Sequence, residues 1–251
     1  MQGAIVQPTQ IETQLLAGCR RLASKGFLKT PADSFSLRVP GSAEMIIASG
    51  CKDWREKDRR EKDWREIGVA DLHTAPFSIS EGGSGPHAAI LPTTILHAAI
   101  LHAAIYRERA DVGAVAISSP KGARLLAHCG GCFPTLFDEQ ARHLGAPAEP
   151  LADAATLQPD VVRNTFRRGT NAVLLGEQLL CLGMTCERVL CNVELYEKCA
   201  QAYVIAKASG NRIRVIPGWV RLIANRRLLR DERRAAASYR NGVIPEGIGG
   251  Y

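Results

Sequence analysis

The sequence predicts a layered α/β domain, because segments with the apolar period of helices alternate along the chain with short apolar runs that are typical of strands. Residues 10–25 carry apolar side chains at helical spacing, whereas residues 112–117 form a short apolar run. The chain has 251 residues, of which 46% are hydrophobic, so it can bury a substantial core. We expect residues 1–210 to form this domain and residues 211–251 to form a basic helix and tail packed on it.

The first predicted elements are a helix and a hairpin. Gly26 follows the apolar stripe of residues 10–25 and is a typical helix stop. In residues 34–50, SFSLRVPGSAEMIIASG, apolar side chains alternate before the Pro40-Gly41 pair and resume after it. This pattern predicts two strands joined by a turn.

Two pentamer repeats follow the hairpin: KDWRE, KDRRE and KDWRE at 52–66, and HAAIL with its variants at 87–106. A period of five matches neither helix nor strand, so we interpret both repeats as duplications in the coding DNA, and residues 52–66 as a tolerated surface loop. A nucleic-acid-binding charge run is the alternative for 52–66, although its acids and bases nearly balance. Five residues turn a helix by about 140° beyond a full turn. His87, His97 and His102 therefore do not share a helix face, and we expect no metal site there.

The second half of the chain continues the alternation of helix and strand. Pro120 suits the first position of a helix, and Gly169 suits a helix end. Thr185 is a typical N-cap, although Arg188 does not complete a capping box. The predicted elements are a helix ending near Arg109, a strand at 112–117, a helix from Ser119-Pro120, a helix at 151–169, a hairpin turning at Gly176-Glu177-Gln178, a long helix at 185–209 and a basic helix at 214–240.

The formal net charge is +7, and arginines are concentrated near the C-terminus. Such a cluster suits nucleic acid or another polyanion, but no recognition motif accompanies it, and Trp219 is nearly the only aromatic residue among the arginines. We therefore favour a solvated helix face or an oligomer contact and expect no nucleic-acid partner. The arginines are Arg212, Arg214, Arg221, Arg226, Arg227, Arg230, Arg233 and Arg234.

The sequence also predicts a cytoplasmic protein that does not interact with membranes. No apolar run approaches the roughly 20 residues that span a bilayer, and the start of the chain lacks the pattern of a signal peptide. The eight cysteines are expected to be free thiols. Cys129 and Cys132, in HCGGC, offer too few ligands for a structural zinc, which leaves core packing or a redox role.

The order of several short motifs resembles that of the class II aldolase/adducin family. The strongest stretch is HAAIYRERADVGAV, which is similar to the family's segment of helix, Tyr, Arg, Asp-Val and buried strand. The resemblance covers residues 11–210 and implies a three-layer α/β/α class II aldolase-like domain with a mostly antiparallel central sheet. It also implies a homo-oligomer, with a tetramer favoured, whose active sites lie at subunit boundaries. The motifs in order are ADSFSLRV, MIIASG, LHAAIYRERADVGAVAISSP, NAVLLGEQLLCLG and VELYEKCAQAY.

By the same resemblance, the family's enzymes hold a divalent ion, usually zinc, that stabilises an enediolate. Two ligands come from His-x-His at the end of the buried strand and a third from a His in a later turn, while a Glu four residues before a helix His moves the proton. Here the strand positions are Ile117 and Ser119, and residues 176–178 contain no His. The Glu position falls on Thr93 or Ala98. We therefore expect no zinc and no other cofactor.

The family's phosphate-binding turns are partly retained. The first corresponds to residues 33–36, where Asp33 introduces a negative charge, and the second corresponds to Ser49-Gly50. If the pocket persists, it is a neutral, hydroxyl-rich cleft that can bind a small polar molecule, and no His–acid pair can be assigned next to its serines. We assign no catalytic or metal-binding residue. The candidate ligand-binding residues are Ser34, Ser36, Ser49, Gly50, Ser118, Ser119 and Gln178.

Three functions remain open at this point. We favour an oligomeric binding or scaffold protein of this family without zinc-aldolase activity. The alternative is a divergent lyase, aldolase, decarboxylase or isomerase that acts on a small hydroxy-carbonyl or sugar-phosphate-like substrate. The third is a polyanion-binding protein that works through its C-terminal arginines.

Overall fold

The computed structural model describes residues 8–49, 67–71, 93–152, 159–210 and 212–246. Within these residues, helices cover both faces of a six-stranded sheet, so the predicted three-layer α/β/α architecture is confirmed. The elements in chain order are α1 (Pro8–Ser24), β1 (Ser34–Arg38), β2 (Glu44–Ser49), β3 (Ile67–Asp71), α2 (Thr93–Glu108), β4 (Ala114–Ser118), α3 (Lys121–His128), a π-helical turn (Gln140–Leu144), α4 (Pro159–Thr165), β5 (Ala172–Leu175), β6 (Gln178–Gly183), α5 (Cys186–Ala208) and α6 (Gly218–Arg240).

The sheet has the strand order β3-β2-β1-β4-β6-β5, and every neighbouring pair is antiparallel. The two predicted hairpins are β1-β2 and β5-β6. In the second hairpin Leu175 pairs with Gln178, and Gly176 adopts a φ of +58° that a side chain would disfavour. The sequence did not predict β3, because IGVAD is short and mixed in polarity.

Side chains of the strands alternate between two hydrophobic cores. Phe35 and Leu37 of β1 pack with α1, α3 and α5 on one face of the sheet. Val115 and Ile117 of β4 pack with α2 and α4 on the other face. Each fully buried apolar side chain of this size stabilises the fold by about 1.5–3 kcal/mol, so the alternation fixes the register of the strands.

Several predicted helix limits are confirmed. Helix α1 ends just before Gly26, whose φ is +70°, and α2 ends one residue before Arg109. The N-cap at Thr185 is present, since its side chain accepts a hydrogen bond of 3.2 Å from the amide of Arg188. Residues 52–66, for which a surface loop is predicted, lie outside the described residues.

Three helix starts differ from the predictions. Leu151, where a helix is predicted to begin, instead forms a β-bridge with Leu175, and the described helix of this region is α4, Pro159–Thr165. The basic helix begins at Gly218 instead of residue 214, because Pro217 occupies its N-cap position in an extended conformation. Pro120 is likewise the N-cap of α3 and not its first helical residue.

Helix α6 is attached to the sheet domain through buried polar contacts. Arg109 forms ion pairs with Asp111 at 2.7 Å and with Glu232 of α6 at 3.1 Å, and all three side chains are buried. The hydroxyl of Tyr239 donates a hydrogen bond of 2.8 Å to the carbonyl of Met184. The C-terminal helix therefore packs against the domain at both its middle and its end.

Two further features concern membrane-spanning helices and cysteine pairing. None of the described helices is long and apolar enough to cross a membrane. The seven cysteines within the described residues are free thiols, as predicted.

Candidate functional site

The strand ends that carry most of the candidate residues meet at one end of the sheet. Strand β1 begins at Ser34, β2 ends at Ser49 and β4 ends at Ser118. The register places Ser34 between Ser49 and Ile117, and it places Ser118 opposite Leu179 of β6. The antiparallel pairing of these four strands therefore brings the candidate residues to the same sheet end.

Asp33 is fully buried at this sheet end, immediately before β1. Its Oδ1 atom accepts hydrogen bonds from the hydroxyl of Ser119 at 2.7 Å and from the side-chain amide of Gln178 at 2.9 Å. Its Oδ2 atom accepts hydrogen bonds from the backbone amides of Lys29 and Thr30, both at 2.6 Å. Such charge-assisted bonds compensate the carboxylate for the water it loses on burial. Ser119 and Gln178 are thereby committed to an acceptor within the protein.

A second network lies on the side of the sheet that faces α2. The Nε2 atom of His102 lies 3.1 Å from the hydroxyl of Ser34, and its Nδ1 atom lies 2.7 Å from the hydroxyl of Ser36. Burial lowers the pKa of His102 to about 3, so the ring is neutral near pH 7. Tyr106, one helical turn further on, approaches the hydroxyl of Ser36 at 2.9 Å. Because both ring nitrogens face serine hydroxyls, neither is left for the carboxylate of a catalytic triad.

The remaining candidates are Ser118, Ser49 and Gly50. Ser118 is fully buried, and its hydroxyl donates a hydrogen bond of 3.4 Å to the carbonyl of Leu179. Ser49 is buried at the end of β2. Gly50 lies outside the described residues. The structure thus places Ser119 and Gln178 in the network around Asp33, and Ser34 and Ser36 in the network around His102.

Cys132 of the Cys-x-x-Cys segment does not have the electrostatics of a reactive thiol. Burial and the nearby charge of Glu149 raise the pKa of Cys132. Reactive thiols of this motif have a lowered pKa, because the thiolate is the nucleophile. Cys129 and Cys132 are both partly buried free thiols.

The sequence matches the family model described as the Class II Aldolase and Adducin N-terminal domain over residues 13–204. The chain belongs to the class II aldolase/adducin family. The match confirms the resemblance inferred for residues 11–210. No curated protein matches the chain in sequence.

Solved structures of class II aldolases share the fold at low sequence identity. An L-fuculose 1-phosphate aldolase superposes with a TM-score of 0.66 at 20% identity, covering 89% of this chain and 98% of that one. The L-fuculose 1-phosphate aldolase of Glaciozyma antarctica gives 0.63 at 15% identity, covering 92% and 88%. An aldolase II superfamily protein from Pseudomonas syringae gives 0.64 at 16% identity, covering 95% and 96%.

The residues at the zinc positions implied by the class II aldolase resemblance do not fit the ion. Ile117 is 3% exposed and packs in the core that faces α2, and its alkyl side chain has no lone pair to donate. The hydroxyl of Ser119 is neutral, a poor zinc ligand, and already bonded to Asp33. Among the described residues, no three His, Cys, Asp or Glu side chains are grouped so as to hold a metal ion.

The position of the proton-transferring glutamate is equally unsuited to its role. Ala98, one of the two matching positions, is buried in the hydrophobic core between α2 and the sheet and has no acidic group. The other is Thr93, the first residue of α2, whose side chain lies outside the described residues. We therefore derive no reaction step that passes through a bound metal.

Two features of this site are not apparent from the sequence pattern. Asp33 is a repulsive charge by its sequence position, but as a buried aspartate it requires donors, and Ser119 and Gln178 supply them. The second feature is the pair of serine partners of His102. The available signal was the i, i+2 spacing of Ser34 and Ser36, which puts two hydroxyls on one face of a strand.

Proposed function

We propose that this class II aldolase/adducin-family protein acts as an oligomeric binding or scaffold protein and lacks the zinc-dependent aldolase reaction. The observation that supports it is the set of four hydrogen bonds to Asp33. These bonds engage Ser119 at a zinc-ligand position and Gln178 beside the turn that carries the third ligand in the family. A carboxylate held in this way stabilises this end of the sheet and offers nothing that would stabilise an enediolate.

The expected ligand is a small polar molecule bound at the same sheet end. Ser34, Ser36, Ser49, Gly50, Ser118, Ser119 and Gln178 remain the candidate contacts. Because Ser119 and Gln178 would have to exchange Asp33 for the ligand, we expect weak binding. The family's oligomeric habit leads us to propose a homotetramer of 27.2 kDa chains, to be measured by sedimentation velocity. The free thiols agree with a cytoplasmic location, which is part of the proposal.

An activity assay tests the enzymatic part of the proposal. The purified chain is incubated with L-fuculose 1-phosphate, in the presence of added zinc, and the sugar phosphate is followed by ³¹P NMR. An L-fuculose 1-phosphate aldolase serves as the positive control. We expect no cleavage above the protein-free blank. Zinc-dependent cleavage would overturn the proposal, and cleavage in the presence of a chelator would favour the divergent-lyase alternative.

A further inference from the structure

The C-terminal part of the chain is strongly basic, but its sequence does not show which of its charges face solvent. Residues 211–251 contain nine arginines, no lysine and three acidic residues. Two of the acids, Asp231 and Glu232, stand in the middle of the helix and divide the arginines. From the sequence alone, these acids partly neutralise the helix surface.

The structure turns both acids away from the outer surface of α6. The carboxylate of Asp231 pairs with Arg142 of the sheet domain. Glu232 is fully buried, where it contacts Arg109 at 3.1 Å and accepts hydrogen bonds of 3.0 and 3.1 Å from the amide of Gly169. Neither acid therefore offsets the arginines that face solvent.

Four arginines form the outer face of α6, which we call the arginine face: Arg226, Arg230, Arg233 and Arg234. All four are exposed, and their spacing of three or four residues puts them on one side of the helix. Among the described residues, no carboxylate lies within ion-pair distance of any of them. The arginine face is thus an uncompensated cationic stripe.

An exposed aromatic side chain continues this face toward the start of α6. Trp219 is 67% exposed and stands seven residues before Arg226, two helical turns along the same side. Ile223, between them, is 46% exposed. Asp138, Arg142 and Arg227 border the recess beside Trp219. Because Arg142 is paired with Asp231, Arg227 is the cation that offsets the charge of Asp138 there.

We propose that the outer face of α6 docks a single-stranded nucleic acid. Guanidinium groups bind phosphate oxygens through two parallel hydrogen bonds, which suits a row of arginines to a phosphate backbone. An exposed indole offers a stacking surface that any unpaired base can use, which a duplex does not provide. A membrane is the poorer match, because the apolar stripe of α6 that carries Leu228 and Ala235 is buried against the domain. Only the apolar residues at the start of the helix, Trp219, Leu222 and Ile223, are left to contact lipid.

The test measures binding of the full chain to a single-stranded 20-nucleotide RNA by fluorescence anisotropy at several salt concentrations. For four phosphate contacts the slope of log K against log salt is expected to be about −2.8, at about 0.7 per phosphate. The variant Arg226→Gln/Arg230→Gln/Arg233→Gln is expected to reduce the slope to about −0.7. Its charge-matched control is Arg20→Gln/Arg124→Gln/Arg163→Gln, which alters exposed arginines outside α6 and is expected to keep the wild-type slope.

The stacking contact has its own variant. Trp219→Ala is expected to weaken binding about tenfold at every salt concentration without changing the slope, because it removes stacking and no charge. Leu125→Ala, at an exposed apolar residue on α3, is the matched control and is expected to bind as the wild type does.

Four results would overturn the inference. The first is an absence of RNA binding at low salt, and the second is an equal loss of RNA affinity in the two triple variants. The third is binding to anionic vesicles but not to RNA, and the fourth is a change of oligomeric state in the α6 triple variant at unchanged RNA affinity. The last two results would assign the face to a membrane or to a second copy of this chain. Because the inference does not involve the sheet end around Asp33, it stands or falls separately from the loss of aldolase activity.

Discussion

The side-chain carboxylate of Asp33 accepts a hydrogen bond of 2.7 Å from the hydroxyl of Ser119, at the end of the buried strand where the class II aldolase resemblance places a zinc ligand. With the bond from Gln178 at 2.9 Å, this contact ties β1, β4 and β6 together at one sheet end. The position of Ser119, which binds the metal in the family's enzymes, therefore stabilises contacts within this chain.

Removing this carboxylate is expected to destabilise the fold. Asp33→Ala leaves four donors without their acceptor, one of them buried and three partly buried, and should lower the free energy of unfolding by about 3 kcal/mol. Asp33→Asn, which keeps one acceptor oxygen, should lie between Ala and wild type. Urea denaturation followed by circular dichroism measures the difference. Asp160→Ala, at a side chain that is 84% exposed, is the control and should change stability by no more than about 0.5 kcal/mol. Equal stability of Asp33→Ala and wild type would show that the hydrogen bonds to Asp33 do not contribute to the stability of the fold.

The buried histidine should make the protein sensitive to acid. Burial lowers the pKa of His102 from 6.5 to about 3, so its contribution to stability is complete above pH 6.5 and is lost as the pH falls toward 3. Relative to His102→Asn, wild type is expected to lose about 2 kcal/mol between pH 7 and pH 5, at about 1.4 kcal/mol per unit. Urea denaturation at each pH measures this difference. His128→Asn, whose ring is 69% exposed in wild type, should follow the wild-type curve. Parallel pH curves for wild type and His102→Asn would contradict the prediction.

The order of elements was predictable from the sequence, but the partners of the site residues were not. Apolar periods and Gly, Pro and Thr signals suffice for most helices and strands, since these signals are local. The hydrogen bond between Asp33 and Gln178 joins residues 145 positions apart, and no local sequence signal predicts it. The inward orientation of the Asp231 and Glu232 side chains cannot be predicted for the same reason, because it depends on Arg142 and Arg109 in the sheet domain.

A second titration acts in the opposite direction, at the contact between α6 and the domain. Burial, and then the charge of Asp111, raises the pKa of Glu232 from 4.5 to about 7, although Arg109 opposes this shift. Burial lowers the pKa of Arg109, but the hydrogen bonds and charges of Asp111 and Glu232 together outweigh burial and raise it. The guanidinium therefore stays charged, and Glu232 is the group that takes up the proton.

The stabilising contribution of Glu232 is therefore complete below pH 4.5 and lost as the pH rises through 7. Relative to Glu232→Gln, wild type is expected to lose about 2 kcal/mol between pH 5 and pH 8. Denaturation curves of both proteins across this range test it, with Glu12→Gln, at an exposed residue of α1, as the control that keeps the wild-type profile. A difference in the free energy of unfolding between wild type and Glu232→Gln that does not change with pH would contradict the raised pKa of Glu232.

A glycine allows the end of α6 to approach the sheet. A Cβ atom on Gly113 would lie 1.7 Å from the hydroxyl oxygen of Tyr239 and 2.6 Å from the carbonyl oxygen of Met184. Gly113→Ala should therefore lower stability by about 3 kcal/mol, as overpacking does in a filled core. Gly218→Ala is the control, since its Cβ would meet no atom closer than 3.8 Å and alanine favours a helix. Thermal unfolding distinguishes the two variants, and an undisturbed Gly113→Ala would show that Tyr239 does not pack as described.

The central claim is that this chain keeps the class II aldolase fold without the means to hold the family's ion. The most direct test is to purify the protein from cells grown with added zinc, dialyse it against metal-free buffer and determine bound metal by mass spectrometry. The account predicts far less than one divalent ion per chain in a sample that remains folded by circular dichroism. One zinc ion retained per chain would contradict it.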